Sequence, residues 1–254
     1  MRRDRLVVGV ALALLTALAW LYLVRMPGGV HASGGMAGMS GMAMPQAEPW
    51  SAADFAALFA MWSVMMVAMM LPSAAPTVLL VTGMARRREE RGAPAVHAGV
   101  FLAGYLAAWI GFSAVAAGAQ WLLHGAALLS PMMASASPRL SGAILLGAGL
   151  YQWLPFKHAC LSHCRSPMHW LGSGWREGAR GAFAMGVHHG TYCLACCWLL
   201  MALLFVAGVM NLVWVAAIAL LVLLEKVSPL GRVVARAAGV AMAVWGVALL
   251  ARLV

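Results

Sequence analysis

The chain has 254 residues, 64% of them hydrophobic and only 9% charged, with a formal net charge of +10. That composition excludes a soluble domain built around one large core and describes a polytopic membrane protein. The positive excess would suit a nucleic-acid binder, but the arginines stand in short clusters between apolar runs, without interleaved aromatics. Nucleic acid is therefore excluded as a partner, and the lipid bilayer is the expected one.

Apolar stretches long enough to span recur seven times, at about 6–24, 51–83, 95–123, 139–155, 182–208, 212–225 and 233–251. The expected fold is all-α, a polytopic transmembrane helical bundle of about seven spans. Fourteen of the seventeen lysines and arginines fall on one side of the alternation: Arg2, Arg3, Arg5; Arg86, Arg87, Arg88, Arg91; Lys157, Arg165, Arg176, Arg180; Lys226, Arg232, Arg236. The bias predicts the N-terminus inside and the C-terminus outside. Residues 1–24 start basic, but the apolar run exceeds a signal core and no small-residue cleavage site follows, so they are read as a retained first helix. Residues 25–49 form an outer loop, and 50–254 a membrane domain carrying a cytoplasmic Cys/His loop at 156–180.

The outer loop is rich in Gly and Met without periodicity, and is expected to be flexible. Its Met36, Met39, Met42 and Met44, with His31, resemble methionine clusters that collect copper. Thioether sulfur is a soft ligand that survives an oxidising compartment, where thiols would pair. In the second span Met61, Met65 and Met69 recur every four residues as one stripe, with Met66 and Met70 beside it. Packing accounts for such a stripe as well as ligation does. Pro72 and Pro76, flanking Ser73, are expected to break this helix, and Asp54 at its start is expected to be simply solvated. The third and fourth spans present small residues, Gly104, Ala108 and Gly111, then Gly142, Gly147 and Gly149, at spacings that let helices approach. Tyr151 and Trp153 fit an interfacial belt.

The stretch Gly181 to Met201, at the fifth span, is apolar enough for lipid yet holds His188, His189, Cys193, Cys196 and Cys197. At about 100° per residue, His189, Cys193 and Cys196 fall in a wedge of roughly 60°. Imidazole and thiolate bind soft and borderline metals such as Cu(I) and Zn(II), and ligation supplies the partners that polar groups need in lipid. His189 and Cys196, about 10.5 Å apart along the axis, do not share one ion, whereas Cys193 with Cys196 or Cys197, or His189 with Cys193, can. Either pair needs ligands from elsewhere. The loop 157–170 offers His158, Cys160, His163, Cys164 and His169, and a helical turn there would bring Cys160 and Cys164 to one face. None of the five cysteines lies in an outer loop, which argues against a structural disulfide framework.

The segments MWSVMMVAMMLPSAAP (61–76), YQWLPFKHACLSHCRSP (151–167), GVHHGTYCLACCWLLM (186–201) and GVMNLVWVAAIALLVLLEK (208–226) carry a family resemblance. Together they look like a bacterial family of predicted metal-binding integral membrane proteins of unknown function. The resemblance covers about 50–230 and implies a metal-binding membrane protein.

The expected function is binding, transport or delivery of a metal ion, copper first, in a bacterial inner membrane. The candidate ligands are His188, His189, Cys193, Cys196, Cys197, Cys160, His163, Cys164, Met65 and Met69. A metallochaperone or cuproenzyme would be the protein partner, and no enzymatic role is expected. One rival is a thiol–disulfide redox protein, although a Cys-x-x-Cys pair in mid-helix lacks the N-terminal dipole that activates such thiols. The other is a structural subunit whose Met and Cys only pack.

Overall fold

The structure, a computed structural model, describes residues 2–26, 51–126, 128–129, 135 and 137–251. The methionines of the outer loop and His31 lie outside the described residues. Those described fold mainly into helices: α1 (Arg2–Arg25), α2 (Ala52–Glu89), α3 (Ala98–Gly125), α4 (Pro138–Tyr151), α5 (Pro155–Arg165), α6 (Pro167–Ser173), α7 (Gly178–Ala202), α8 (Leu204–Ala207), α9 (Leu212–Val227) and α10 (Gly231–Ala251). Five helical stretches, α1, α2, α3, α7 with α8, and α10, are long and apolar enough to cross a membrane. Helices also occupy the fourth and sixth apolar stretches. At 14 and 16 residues, α4 and α9 are about 21 and 24 Å long, less than a full hydrocarbon core.

Side-chain pairings fix the helix directions. Arg5 lies against Gly83 and Trp20 against Ala68, so α1 and α2 are antiparallel. Tyr105 meets Met70 and Trp62 meets Gln120, so α2 and α3 are antiparallel as well. Gly186 abuts Phe101 and Gly190 abuts Ala108, which makes α3 and α7 parallel. A return path must lie between them, and α4 runs that way. Its Gly142 meets Gly246 and its Gly149 meets Gly239, so it is antiparallel to α10.

Close approach is bought with missing side chains along two seams. A Cβ on Gly104 would strike the Phe183 carbonyl, and one on Gly186 the Phe101 carbonyl, so α3 and α7 touch backbone to backbone. A Cβ on Gly149 would stand 2.7 Å from the Ala243 nitrogen of α10. Gly111 and Gly147, from the same small-residue runs, have nothing within 4 Å and take no part in these seams. Outside the seams, α1 exposes Leu6, Val10, Leu14 and Leu18, and α10 exposes Val233, Val240, Val244 and Val247. Apolar faces of that extent suit lipid rather than water.

Several expectations need correction. α2 runs unbroken through Pro72 and Pro76. Proline at 72 removes the N–H that would bond the Ala68 carbonyl, and the Trp20 indole N–H of α1 donates to that carbonyl instead, at 3.2 Å. Asp54 closes a capping box: its carboxylate accepts from the Ser51 N–H at 2.8 Å, while the Ser51 hydroxyl accepts from the Asp54 N–H at 3.3 Å. Tyr151 is buried, and its hydroxyl donates to the Ala195 carbonyl of α7 rather than sitting in a belt. The segment 156–180 is not one loop: it holds α5 and α6, each opened by proline at a first-turn position.

Candidate metal centre

α7 turns His189, Cys193, Cys196, Cys197 and Leu200 toward the interior, as the helical period requires, and all three thiols are almost fully buried. The Cys196 and Cys197 thiols donate to the Cys193 carbonyl at 3.0 and 2.9 Å. From α5, the Cys164 thiol stands against those of Cys193 and Cys196. Interaction with those two thiols, followed by burial, holds the Cys164 thiol well above its ordinary range. Cys160, one turn earlier on α5, is buried beside Cys196, and burial raises its thiol too. Thiols of two helices thus meet in one place, and all five cysteines are free.

Three further residues complete the surroundings of Cys193. Lys226, at the end of α9, brings its Nζ to 2.8 Å from Cys193 Sγ and also donates to Ser73 Oγ of α2 at 3.2 Å. Tyr105 Oη of α3 lies 3.1 Å from the same sulfur and donates to the Met70 carbonyl at 3.3 Å. An ammonium beside a thiol favours thiolate, the form that binds metal.

The neighbouring Glu225 faces α5, since adjacent residues on a helix point about 100° apart. It is buried, pairs with Lys157 at 2.7 Å and accepts from Gln152 Nε2 at 2.8 Å, while Lys157 also donates to Gln152. Arg165 donates to the carbonyls of Glu225 and Ser228 at 3.1 and 2.7 Å. These bonds clamp α5 onto the end of α9 and so hold Cys164 against α7. Lys157, Arg165 and Lys226, which the sequence presents as loop cations, are turned inward because Glu225 and the helix-end carbonyls need them.

The histidines gather with aromatic rings toward the start of α7. His163 stacks on Tyr192 at 3.9 Å and on Trp170 at 4.9 Å, with His188 edge-on at 5.2 Å. Burial first, then His188, lowers the His163 pKa to about 4, so its ring is neutral near pH 7. His189 lies against Trp170, Phe101 and Tyr105 at 5.6–6.1 Å. His163 Nε2 and His189 Nδ1 are buried without hydrogen-bond partners, which leaves two unused imidazole nitrogens. A cleft of about 410 Å³ opens here between Cys160, His163, His169, Trp170 and Tyr192, and exposed His188 borders another of about 690 Å³ with Trp170 and Met185.

The ligand candidates from sequence therefore divide. Cys164, Cys193, Cys196 and Cys197 converge, with Cys160 adjoining. His163, His188 and His189 form a separate ring cluster. Met69 is buried one turn before Ser73, and Met65 lines a different cavity. Among the described residues no three His, Cys, Asp or Glu side chains are disposed as a ready cage for an ion. The thiols are turned onto one another and onto a carbonyl instead. Tyr105, Ser73, Lys226, Glu225, Lys157 and Gln152 were not singled out from sequence. The Glu225–Lys226 pair closing an apolar run was the available signal, because an ionisable residue in a span marks a site.

No curated protein and no solved structure matches this chain. A family model described as copper chaperone, PpoB2, matches residues 59–249. Since that match spans well over half of the sequence, the chain belongs to the PpoB2 copper chaperone family.

Proposed function

We propose that the protein is a membrane-embedded copper chaperone that takes Cu(I) onto Cys193 and Cys196, with Cys164 and Cys197 beside them, and passes it to a cuproenzyme or a second chaperone. The observation that carries this reading is the meeting of α5 and α7 thiols beside the Lys226 ammonium. Thiolate is the ligand type that selects Cu(I). Loading requires the thiols to surrender protons and to rotate away from the Cys193 carbonyl, so two thiols bind one Cu(I) with release of two protons. The resulting site carries a net charge of −1, which Lys226 balances. His163, neutral and stacked at the entrance of the 410 Å³ cleft, with His189 and His188, offers imidazole nitrogens as stations between the thiols and the surface.

The alternating helix directions support seven crossings, with α4 and α9 as short ones and the thiols in mid-membrane. The C-terminus is then opposite the N-terminus, α5 runs along α7 from the thiols toward the cytoplasmic side, and α6 lies on that side.

The test is a chelator-competition titration of the purified full chain with Cu(I) under reducing conditions. Wild type is expected to hold Cu(I) tightly, with affinity falling as pH drops because protons compete for thiolate. The Cys193→Ser, Cys196→Ser double variant should lose that binding while remaining folded, since serine is tolerated between membrane helices. Unchanged stoichiometry and affinity in the double variant would rule the site out. Disulfide trapping without copper binding would favour the redox alternative.

A further inference from the structure

A small cavity of about 60 Å³ lies at the far end of the bundle from the histidine cluster, between the end of α1, the outer half of α2 and the turn joining α8 to α9. It is lined by Met26, Met61, Met65 and Met210, with Leu23, Val209 and Leu212. Three separate stretches of chain therefore each bring methionine to the lining of one space. Met61 and Met65 are one helical turn apart on the same face of α2. Gly208, at φ +94°, adopts a backbone conformation that side-chain-bearing residues rarely take, and so reverses the chain just before Val209 and Met210.

Packing alone does not account for this arrangement. Methionine is the unbranched, adaptable residue that fills irregular gaps, yet here four of them surround a gap and leave it open. Backbone polar atoms form part of the wall, but the lining side chains are all apolar, so a water there finds few of the two to four polar partners it needs. The only atoms there with a lone pair to offer from a side chain are the four sulfurs. A soft monovalent cation fits both the size and the donors.

We propose that Met26, Met61, Met65 and Met210 form a second, thioether-only Cu(I) site. It extends the copper-chaperone reading, on which it rests for the identity of the ion. Neutral thioethers hold Cu(I) less tightly than thiolates do, so this site is suited to receiving the ion and the thiols to retaining it. The route between them is short. Ser73, bonded to the same Lys226 as Cys193, stands eight residues beyond Met65, about 12 Å along α2. Met69 is buried halfway between them on the same stripe. Movement along it is ligand exchange: each new Cu–S bond replaces an old one, and no electron is transferred. Protons leave only at the last step, from the thiols.

The experiment titrates the full chain with Cu(I) against a competing chelator, comparing wild type with the four-fold variant Met26→Leu, Met61→Leu, Met65→Leu, Met210→Leu. Leucine keeps the apolar bulk and removes the sulfur. Wild type should show two classes of Cu(I), and the variant should lose the weaker class or bind it at least tenfold less tightly. That weaker class should persist at about pH 5, well below the thiol range, since a thioether carries no proton to exchange. The milder Met61→Leu, Met65→Leu variant gives the same reading if the four-fold one does not fold. Two unaltered classes in either folded variant would overturn the thioether site and leave the thiol site standing. Loss of the tight class alone in Cys193→Ser, Cys196→Ser supports both sites as distinct. If that cysteine variant keeps its tight class while the methionine variants lose the weak one, the thiol reading fails and the thioether site survives.

Discussion

Two thiolates and one Cu(I) ion carry a net negative charge, and in an apolar interior that charge needs a partner. Lys226, 2.8 Å from Cys193 Sγ, is positioned to supply it. Lys226→Met should therefore weaken Cu(I) binding by roughly 10–100-fold, the loss of one charge-assisted hydrogen bond of about 1.5–3 kcal/mol. Lys226→Arg should restore part of the affinity. A Lys226→Met protein that binds copper as well as wild type would remove this residue from the site. Glu225 and Lys157 act differently, as a clamp on α5. Glu225→Gln leaves a buried ammonium without its counter-charge and should cost about 3–5 kcal/mol of stability. The paired change Lys157→Met, Glu225→Leu should recover most of that in thermal unfolding. At this scale the sequence revealed the residues of α7, because the helical period alone places Cys193 and Cys196 on one face. It concealed Lys157 and Tyr105, and the partner of Lys226, because these depend on which helices are neighbours. A lysine at the end of an apolar run looks the same whether it faces water or a thiol.

Helices α3 and α7 present Tyr105 and Cys193 to each other because their glycines let the backbones touch. Gly186→Ala or Gly190→Ala should force the pair apart at about 1–3 kcal/mol each, and should weaken copper binding along with stability. Gly111→Ala, on the same helix but facing open space, should stay within about 0.5 kcal/mol of wild type. The small-residue spacing was legible beforehand, but which glycines formed the seam was not, since Gly111 and Gly104 look alike until a partner helix is placed. Pro72 teaches the same lesson. Its local preference is to break a helix, and the Trp20 indole, 52 positions away in sequence, supplies the hydrogen bond that removes the reason to break.

Across the whole molecule, the length of the apolar runs located every long helix among the described residues, while helix length and the folding-in of α5 and α6 depended on packing. The crossing number rests on α4 and α9, which are short yet run against their neighbours. Reporters inserted at Ala126 and Gly208 should read outside the cytoplasm, and those at Arg88, Gly174 and Gly231 inside. Ala126 and Gly174 on one side would show that α4 does not cross. The copper account is tested most directly by the ultraviolet thiolate-to-Cu(I) charge-transfer band of the purified chain, because thioethers and imidazoles do not produce it. The account predicts a band that saturates near one equivalent of Cu(I) per chain and is absent from Cys193→Ser, Cys196→Ser. No band in wild type, or the same band in the double variant, would contradict it.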